Sequence, residues 1–495
     1  MVQKSTGKDE NSHGRWVGGA FSLTLAGVLS QGINYGIHIA LGRLFAPSLY
    51  GVFGIIVSTF SLLEVILRWG LVRAMSFHIA RNNEVAGQVF KKSLGLQTVY
   101  SLACFVLFVS LSGRLAVALG DPGLASYFRV SSVFVLTFAL VPVYSGLLNG
   151  LGGFHKLAGM GVIGSLARLL LVIGLLAAGM EIYGVIVAYT LGPLVAVAYG
   201  MWVAGGEHPG GKRRVAVKDI VAFAFPLFVS ALAISLLMRL DLFMVQFFLA
   251  DRVLTGLYAS ASALVKAPYF LSLGSGLVLF RVVAQLRASG PSDTREFISR
   301  CMRYYLLGLA PIPFILYDAA EEIVRAIFGS AYLPAAPPFR ILVFCLVFMV
   351  LYNVVTTFIA AVGRPRVSVV LGLLLLPVQV FLVYQWIFAK GLVGVALATG
   401  TTWAIGTLAG SVYLWHSGHL VLPKWRTAIN LGLACLASYY LALWVSPSGV
   451  WLLLVCPLIY CVSLVVLRMS GEIGSGAIRG LLSTVLPAGS HAQKV

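Results

Sequence analysis

Apolar runs of about twenty residues recur along almost the whole chain, separated by short basic loops, and nothing else in the sequence constrains the fold as strongly. A helix needs about 20 apolar residues to cross a bilayer. Helices suit that environment because their backbone groups bond within their own segment. About fourteen such runs are present, at 18–41, 51–72, 93–112, 127–148, 158–178, 183–203, 221–249, 256–280, 302–317, 339–360, 367–388, 392–415, 427–446 and 449–467. Charged residues make up 10% of the 495, against about 25% in a soluble domain. That is too little charge to cover a water-facing surface, which excludes a soluble enzyme, a disordered chain and a nucleic-acid-binding module. The chain reads as an all-α polytopic membrane protein.

The basic residues orient it. With the N-terminus in the cytoplasm, the loops on that side hold 24 of the 35 Lys and Arg, and the opposite loops hold seven. Such a bias marks cytoplasmic loops and supports an even number of spans with both termini inside. The first run, from Gly18 to about Leu41, is too long for a signal-peptide core and lacks a good cleavage site, so it reads as a retained span. The ninth run is short and interrupted by Pro311 and Pro313. The seventh and eighth are long enough to tilt or project. The six cysteines fall in or beside apolar runs and have neither metal spacing nor a disulfide pattern.

A weak internal repeat divides the chain. LFAPSLYG (Leu44 to Gly51) follows the first run and FLADRVLTG (Phe248 to Gly256) the seventh. Setting Gly51 against Gly256 places Asn34 against Arg239. GLGGFHK (Gly150 to Lys156) and AVGRPR (Ala361 to Arg366) match six runs apart, and setting Gly152 against Gly363 places Arg168 against Gln379. Both repeats run in the same sense, so two six-helix lobes related by a parallel pseudo-two-fold are expected, with a binding site between them near the midplane. The organisation expected is a cytoplasmic N-terminal segment (1–17), a first lobe (18–203), a cytoplasmic linker (204–220), a second lobe (221–416), two additional helices (417–467) and a cytoplasmic tail (468–495). Gly205, Gly206, Pro209, Gly210 and Gly211 break the chain within the linker.

Six charges lie inside the spans: Glu64, Arg68, Arg168, Arg239, Asp241 and Lys266. Each costs roughly 2.5–3.5 kcal/mol at a helix centre facing lipid, so all should face a wet cavity or a partner. Glu64 and Arg68, four apart, share a face and can pair, or Arg68 can snorkel to the rim. Arg239 and Asp241, two apart, point different ways and each needs another partner. Arg168 has no acid near it in sequence, and Lys266 is similarly deep. Four cations against two acids make a cavity that attracts an anion, and a guanidinium fork suits phosphate. Gln31, Asn34 and His38 lie on one face of the first span. His38, Glu64 and Asp241 are also candidate coupling sites, with packed polar residues as the plainer reading. The run Asp318 to Phe328, with Ile323, Ile327 and Phe328 on one face, reads as a short interfacial helix.

These runs resemble a known family. Arg43-Leu44 with Tyr50-Gly51, Gly150, Gly152 and Phe154 followed by Arg168, Phe225-Pro226-Leu227, Arg239-Leu240-Asp241, Gly256-Leu257-Tyr258, Phe328-Gly329 with Tyr332 to Pro337, and Gly363-Arg364-Pro365 occur in the order seen in polysaccharide flippases of the Wzx type. Those belong to the multidrug/oligosaccharidyl-lipid/polysaccharide exporter superfamily, and the resemblance covers roughly residues 18–416. It implies a V-shaped bundle of two lobes in a bacterial inner membrane. The implied substrate is a polyprenyl-pyrophosphate-linked oligosaccharide moved to the outer leaflet for surface polysaccharide biosynthesis. Polysaccharide polymerase and glycosyltransferases would be its functional partners. The family's cavity cations correspond to Arg168, Arg239 and Lys266, with Arg68 a fourth candidate and Gln379 a further polar position. No cofactor is expected; a proton or sodium gradient is the open coupling choice.

The rival readings are a cation-coupled multidrug exporter of the same superfamily, which would need a mainly acidic cavity, and a membrane glycan polymerase or glycosyltransferase. The last needs catalytic residues in sizeable outer loops. Here those loops are short and their acids, Asp121, Glu181, Asp251, Asp318, Glu321 and Glu322, are scattered. A scaffold would have no use for the costly buried charges.

Overall fold

The first twelve apolar runs fold as helices, some of them broken. The computed structural model describes residues 6–205, 216–421 and 440. The centre of the expected linker, both expected C-terminal spans (Tyr440 apart) and the tail lie outside them. Among the described residues all regular structure is helical. The first lobe comprises α1 (Thr6–Leu44), α2 (Pro47–Arg68), α3 (Leu71–Arg81), α4 (Ala86–Ala118), α5 (Leu124–Ser131), α6 (Val133–Phe138), α7 (Val141–Gly150), α8 (Phe154–Ala177) and α9 (Glu181–Ala204). The second comprises α10 (Val217–Leu237), α11 (Leu240–Leu249), α12 (Arg252–Ser289), α13 (Pro291–Leu309), α14 (Pro311–Asp318), α15 (Ala320–Phe328), α16 (Ala336–Ala361) and α17 (Pro365–His416). Each of the first twelve apolar runs falls on these helices. Among the described residues, eight helical runs are long and apolar enough to cross a membrane by length and composition.

Several runs are broken where the sequence suggested one helix. The second span pauses at Trp69 and Gly70 before α3, and the seventh breaks between α10 and α11. The eleventh and twelfth runs share α17, turned at Gly391, whose φ of 55° and ψ of −135° leave the helical region. Helix starts follow local chemistry. Pro47, Pro291, Pro311 and Pro365 open helices, where a missing N–H has no intrahelical partner to lose. Asp251 caps α12 by accepting from the Val253 and Leu254 amides at 2.7 and 3.2 Å. The repeat-matched glycines Gly152 and Gly363 both take positive φ, 74° and 88°, a conformation that costs glycine little.

The repeat axis is visible in the packing. α2 crosses α12 at Gly51 and Gly256. A Cβ on Gly51 would lie 2.1 Å from the Arg252 carbonyl oxygen, and one on Gly256 would lie 1.8 Å from that of Pro47. Gly54 meets Ala259 in the same register. Small residues let two membrane helices approach to backbone contact, and here equivalent residues of the two lobes do so reciprocally.

α15 is the short amphipathic helix expected after the ninth span. Ala320, Val324 and Phe328 are buried, while Ile323 and Ile327 pack half-buried against the core. Its Glu321 pairs with Arg340 at 3.0 Å.

Candidate functional site

A cavity of about 1380 Å³ opens between the lobes, walled chiefly by α1, α2 and α12. Arg168 of α8, Arg239 at the α10–α11 break and Lys266 of α12 all line it. Asn34, His38 and Glu64 do too, as does Arg281 toward the C-terminal end of α12. Three deep cations therefore face one carboxylate, that of Glu64.

Arg168 is held from two sides. Its Nη1 donates to Asn34 Oδ1 at 3.2 Å, and its guanidinium lies 4.5 Å from the centre of the Tyr189 ring, within cation–π range. Its Nε is buried with no partner among the described residues, and so is that of Arg239. Both guanidinium groups thus retain donor capacity at the cavity wall. His38 lines the cavity but is packed, its Nδ1 3.1 Å from the Tyr50 hydroxyl and its ring 5.0 Å from that of Phe53.

The other sequence candidates sit elsewhere. Arg68 is exposed, its guanidinium over the Phe138 ring at 5.2 Å. Among the described residues four ion pairs form, and Glu64–Arg68 is not one of them. Asp241 is 2% exposed and lies behind the cavity wall. The partner it needs is Lys266, 3.8 Å away, and Tyr258 donates its hydroxyl to Asp241 Oδ2 at 3.1 Å. Gln379 is fully buried in α17, away from the cavity lining, and its amide has no partner among the described residues. The wall also contains Tyr35, Ser58, Ser61, Tyr189 and Ser262, which sequence reasoning passed over. Tyr and Ser inside a span carry no charge and so raise no signal.

The far end of the cavity is sealed by contacts between the lobes. Asp121 and Arg252 form a bidentate pair, with Arg252 Nη2 donating to Asp121 Oδ1 at 2.8 Å. Arg43 donates to the carbonyls of Ala326 and Ile327. The Tyr332 hydroxyl donates to the Phe45 carbonyl at 2.9 Å. Asp121 lies in a loop outside the spans; its hydrogen bond with Arg252 holds the carboxyl below the usual carboxylate range and raises the guanidinium.

A family profile described as polysaccharide biosynthesis protein matches residues 40–337. The chain belongs to that family. Among curated proteins, no sequence matches it significantly. Its fold is that of the transporters of the superfamily expected from the sequence. A lipid II flippase, MurJ, in an inward closed conformation superposes with a TM-score of 0.71 at 16% identity, covering 92% of this chain and 99% of that one. A multidrug resistance MATE family transporter of the MOP superfamily, inward-facing, gives 0.67 at 18% identity over 79% of this chain and 95% of its own. The outward-facing conformation of such a transporter gives 0.59 at 18% identity, over 81% and 95%. This polysaccharide biosynthesis protein is thus a multi-pass membrane protein of transporter fold.

Proposed function

We propose that this chain is a flippase that moves polyprenyl-pyrophosphate-linked oligosaccharide repeat units from the cytoplasmic to the outer leaflet of a bacterial inner membrane by alternating access. The observation that carries this reading is the cavity lined by Arg168, Arg239 and Lys266. Fixed cations in a low-dielectric wall need an anion, and the pyrophosphate is the one charge every such substrate shares. Guanidinium forks suit it, with roughly 1.5–3 kcal/mol per charge-assisted hydrogen bond. The cavity volume leaves room for sugars, while the lipid tail stays in the bilayer. With the N-terminus cytoplasmic, the end of the cavity near Arg281 faces the cytoplasm.

No enzymatic step is required. A proton or sodium gradient would drive the cycle, the polymerase would act on the product, and glycosyltransferases would supply the substrate. The multidrug reading has one specific support, the fold shared with MATE transporters. The cavity's charge favours an anion instead.

Deleting the gene and extracting membrane lipids tests the proposal. Complete lipid-linked repeat units should accumulate, and a plasmid copy should clear them only if Arg168 is intact. Unchanged lipid-linked glycans together with lost resistance to cationic compounds would favour the multidrug reading.

A further inference from the structure

The break in the seventh span is stitched by the same ion pair that borders the cavity. In a continuous helix the Leu242 amide would donate to the Met238 carbonyl, four residues back. Here Leu242 N–H donates to Asp241 Oδ1 at 2.9 Å, and Lys266 Nζ donates to the Met238 carbonyl oxygen at 2.6 Å. Asp241 and Lys266 are also paired with each other. Arg239, at the break, has φ −126° and ψ −12°. The two backbone groups that would close the helix are thus each satisfied by one member of the pair.

Lys266 also faces two spaces. It lines the large cavity, and it lines an enclosed space of about 10 Å³ that Asp241 and Thr399 share. Asp241 would keep the Tyr258 hydroxyl if the ammonium left. The α1 helix, which the repeat sets against α10 and α11, runs unbroken through the equivalent position at Asn34.

Resting on the functional reading above, we infer that Lys266 is the substrate sensor. In the substrate-free cavity its ammonium holds the break open by capping Met238. A pyrophosphate group in the cavity draws the ammonium away from Asp241 and Met238. The freed carbonyl then takes the Leu242 amide, α10 and α11 join, and the second lobe changes shape. Binding is thereby linked to rearrangement through one lysine.

The test uses purified full-length protein with inorganic pyrophosphate as probe. Spin labels go at the exposed positions Phe225 and Phe247, in a background without native cysteines. Affinity is measured in parallel by calorimetry. In the otherwise native chain, pyrophosphate should shift the label distance toward about 33 Å, the span of a continuous helix over 22 residues. Lys266→Met, which leaves the Met238 carbonyl uncapped, should bind roughly ten- to a hundredfold more weakly and sit at the longer distance with or without pyrophosphate, so that none is added at saturation. Asp241→Asn, which keeps an acceptor for the Leu242 amide but loosens Lys266, should show part of the shift without pyrophosphate. Lys266→Arg guards against misfolding, since it keeps the charge and should retain binding. A shift that persists in Lys266→Met at saturation, or pyrophosphate binding with no shift in the native chain, overturns the sensor while leaving the cavity assignment standing. No pyrophosphate binding by the native chain overturns the functional reading and the sensor with it.

Discussion

The two lobes place polar groups at matched positions and finish them differently. In the first, Arg168 bonds to Asn34 and stacks on Tyr189. In the second, the matched residues are Gln379 and Arg239. The Gln379 amide has no partner among the described residues, and the helix breaks at Arg239. Buried polar groups are normally bonded because leaving one unpaired costs about 1–3 kcal/mol. On the flippase reading, the first lobe is the preorganised wall for the anion, and the second is the side left free to rearrange. A transporter needs both, one side fixed enough to recognise and one side ready to move.

The strongest way to break this contrast is at Arg168. Its guanidinium is already oriented, so Arg168→Ala should abolish clearance of lipid-linked repeat units and weaken pyrophosphate binding roughly ten- to a hundredfold. Protein insertion, followed by membrane fractionation, should be unchanged. Arg239→Ala, which removes a less constrained group, should weaken binding by less. Equal losses in the two variants would remove the distinction between a fixed and a responsive lobe.

The next effect is at the axis. Gly51 and Gly256 meet carbonyl oxygens rather than flexible side chains, so an added methyl cannot be accommodated without parting α2 from α12. Gly256→Ala should cost about 1–3 kcal/mol, the range for overpacking, read as a lower melting temperature in detergent. Gly51→Ala should behave the same way, because each glycine faces the other lobe's backbone. A large asymmetry between the two variants would show that the crossing is not a true symmetry element.

This axis was legible in the sequence. LFAPSLYG and FLADRVLTG align the two glycines that touch. The spans were legible too, since length and apolarity alone define them, and so was the placement of Arg168, Arg239 and Lys266, because charge in an apolar run must face something polar. Local sequence could not show which way each helix turns. Arg68 sits one turn from Glu64, yet it lies exposed over Phe138 while Glu64 faces the cavity. Nor was the break at Met238 and Arg239 legible. It contains no glycine or proline, and its free backbone groups are satisfied by Asp241 and Lys266, which only the tertiary fold brings together.

A smaller effect is expected at Gln379. Replacing a buried amide that lacks a partner with Leu removes the desolvation cost and keeps the volume. Gln379→Leu should raise stability by about 1 kcal/mol, measured by thermal unfolding. Destabilisation would mean the amide is used in this conformation, and the second lobe would lose part of its claim to be unfinished.

The smallest effect concerns the sealed end. Asp121 and Arg252 are partly exposed, so their pair is worth about 0–1 kcal/mol. Because Arg252 lowers the Asp121 pKa in the sealed state, its contribution is present above the carboxyl's ordinary range and is lost as pH falls through the lowered value. Acid should therefore loosen the seal, and Asp121→Asn should loosen it at neutral pH and remove that pH dependence. A single cysteine at Phe45, buried beneath the seal where Tyr332 bonds its carbonyl, should react faster with a membrane-impermeant maleimide in both cases. Since maleimide chemistry itself slows in acid, rates are normalised to a cysteine at the exposed position Leu44. If the normalised rate is unchanged by acid and by Asp121→Asn, the seal rests on Arg43, Tyr332 and the glycine crossing alone. The difference between the two ends of the cavity would then be one of packing rather than charge.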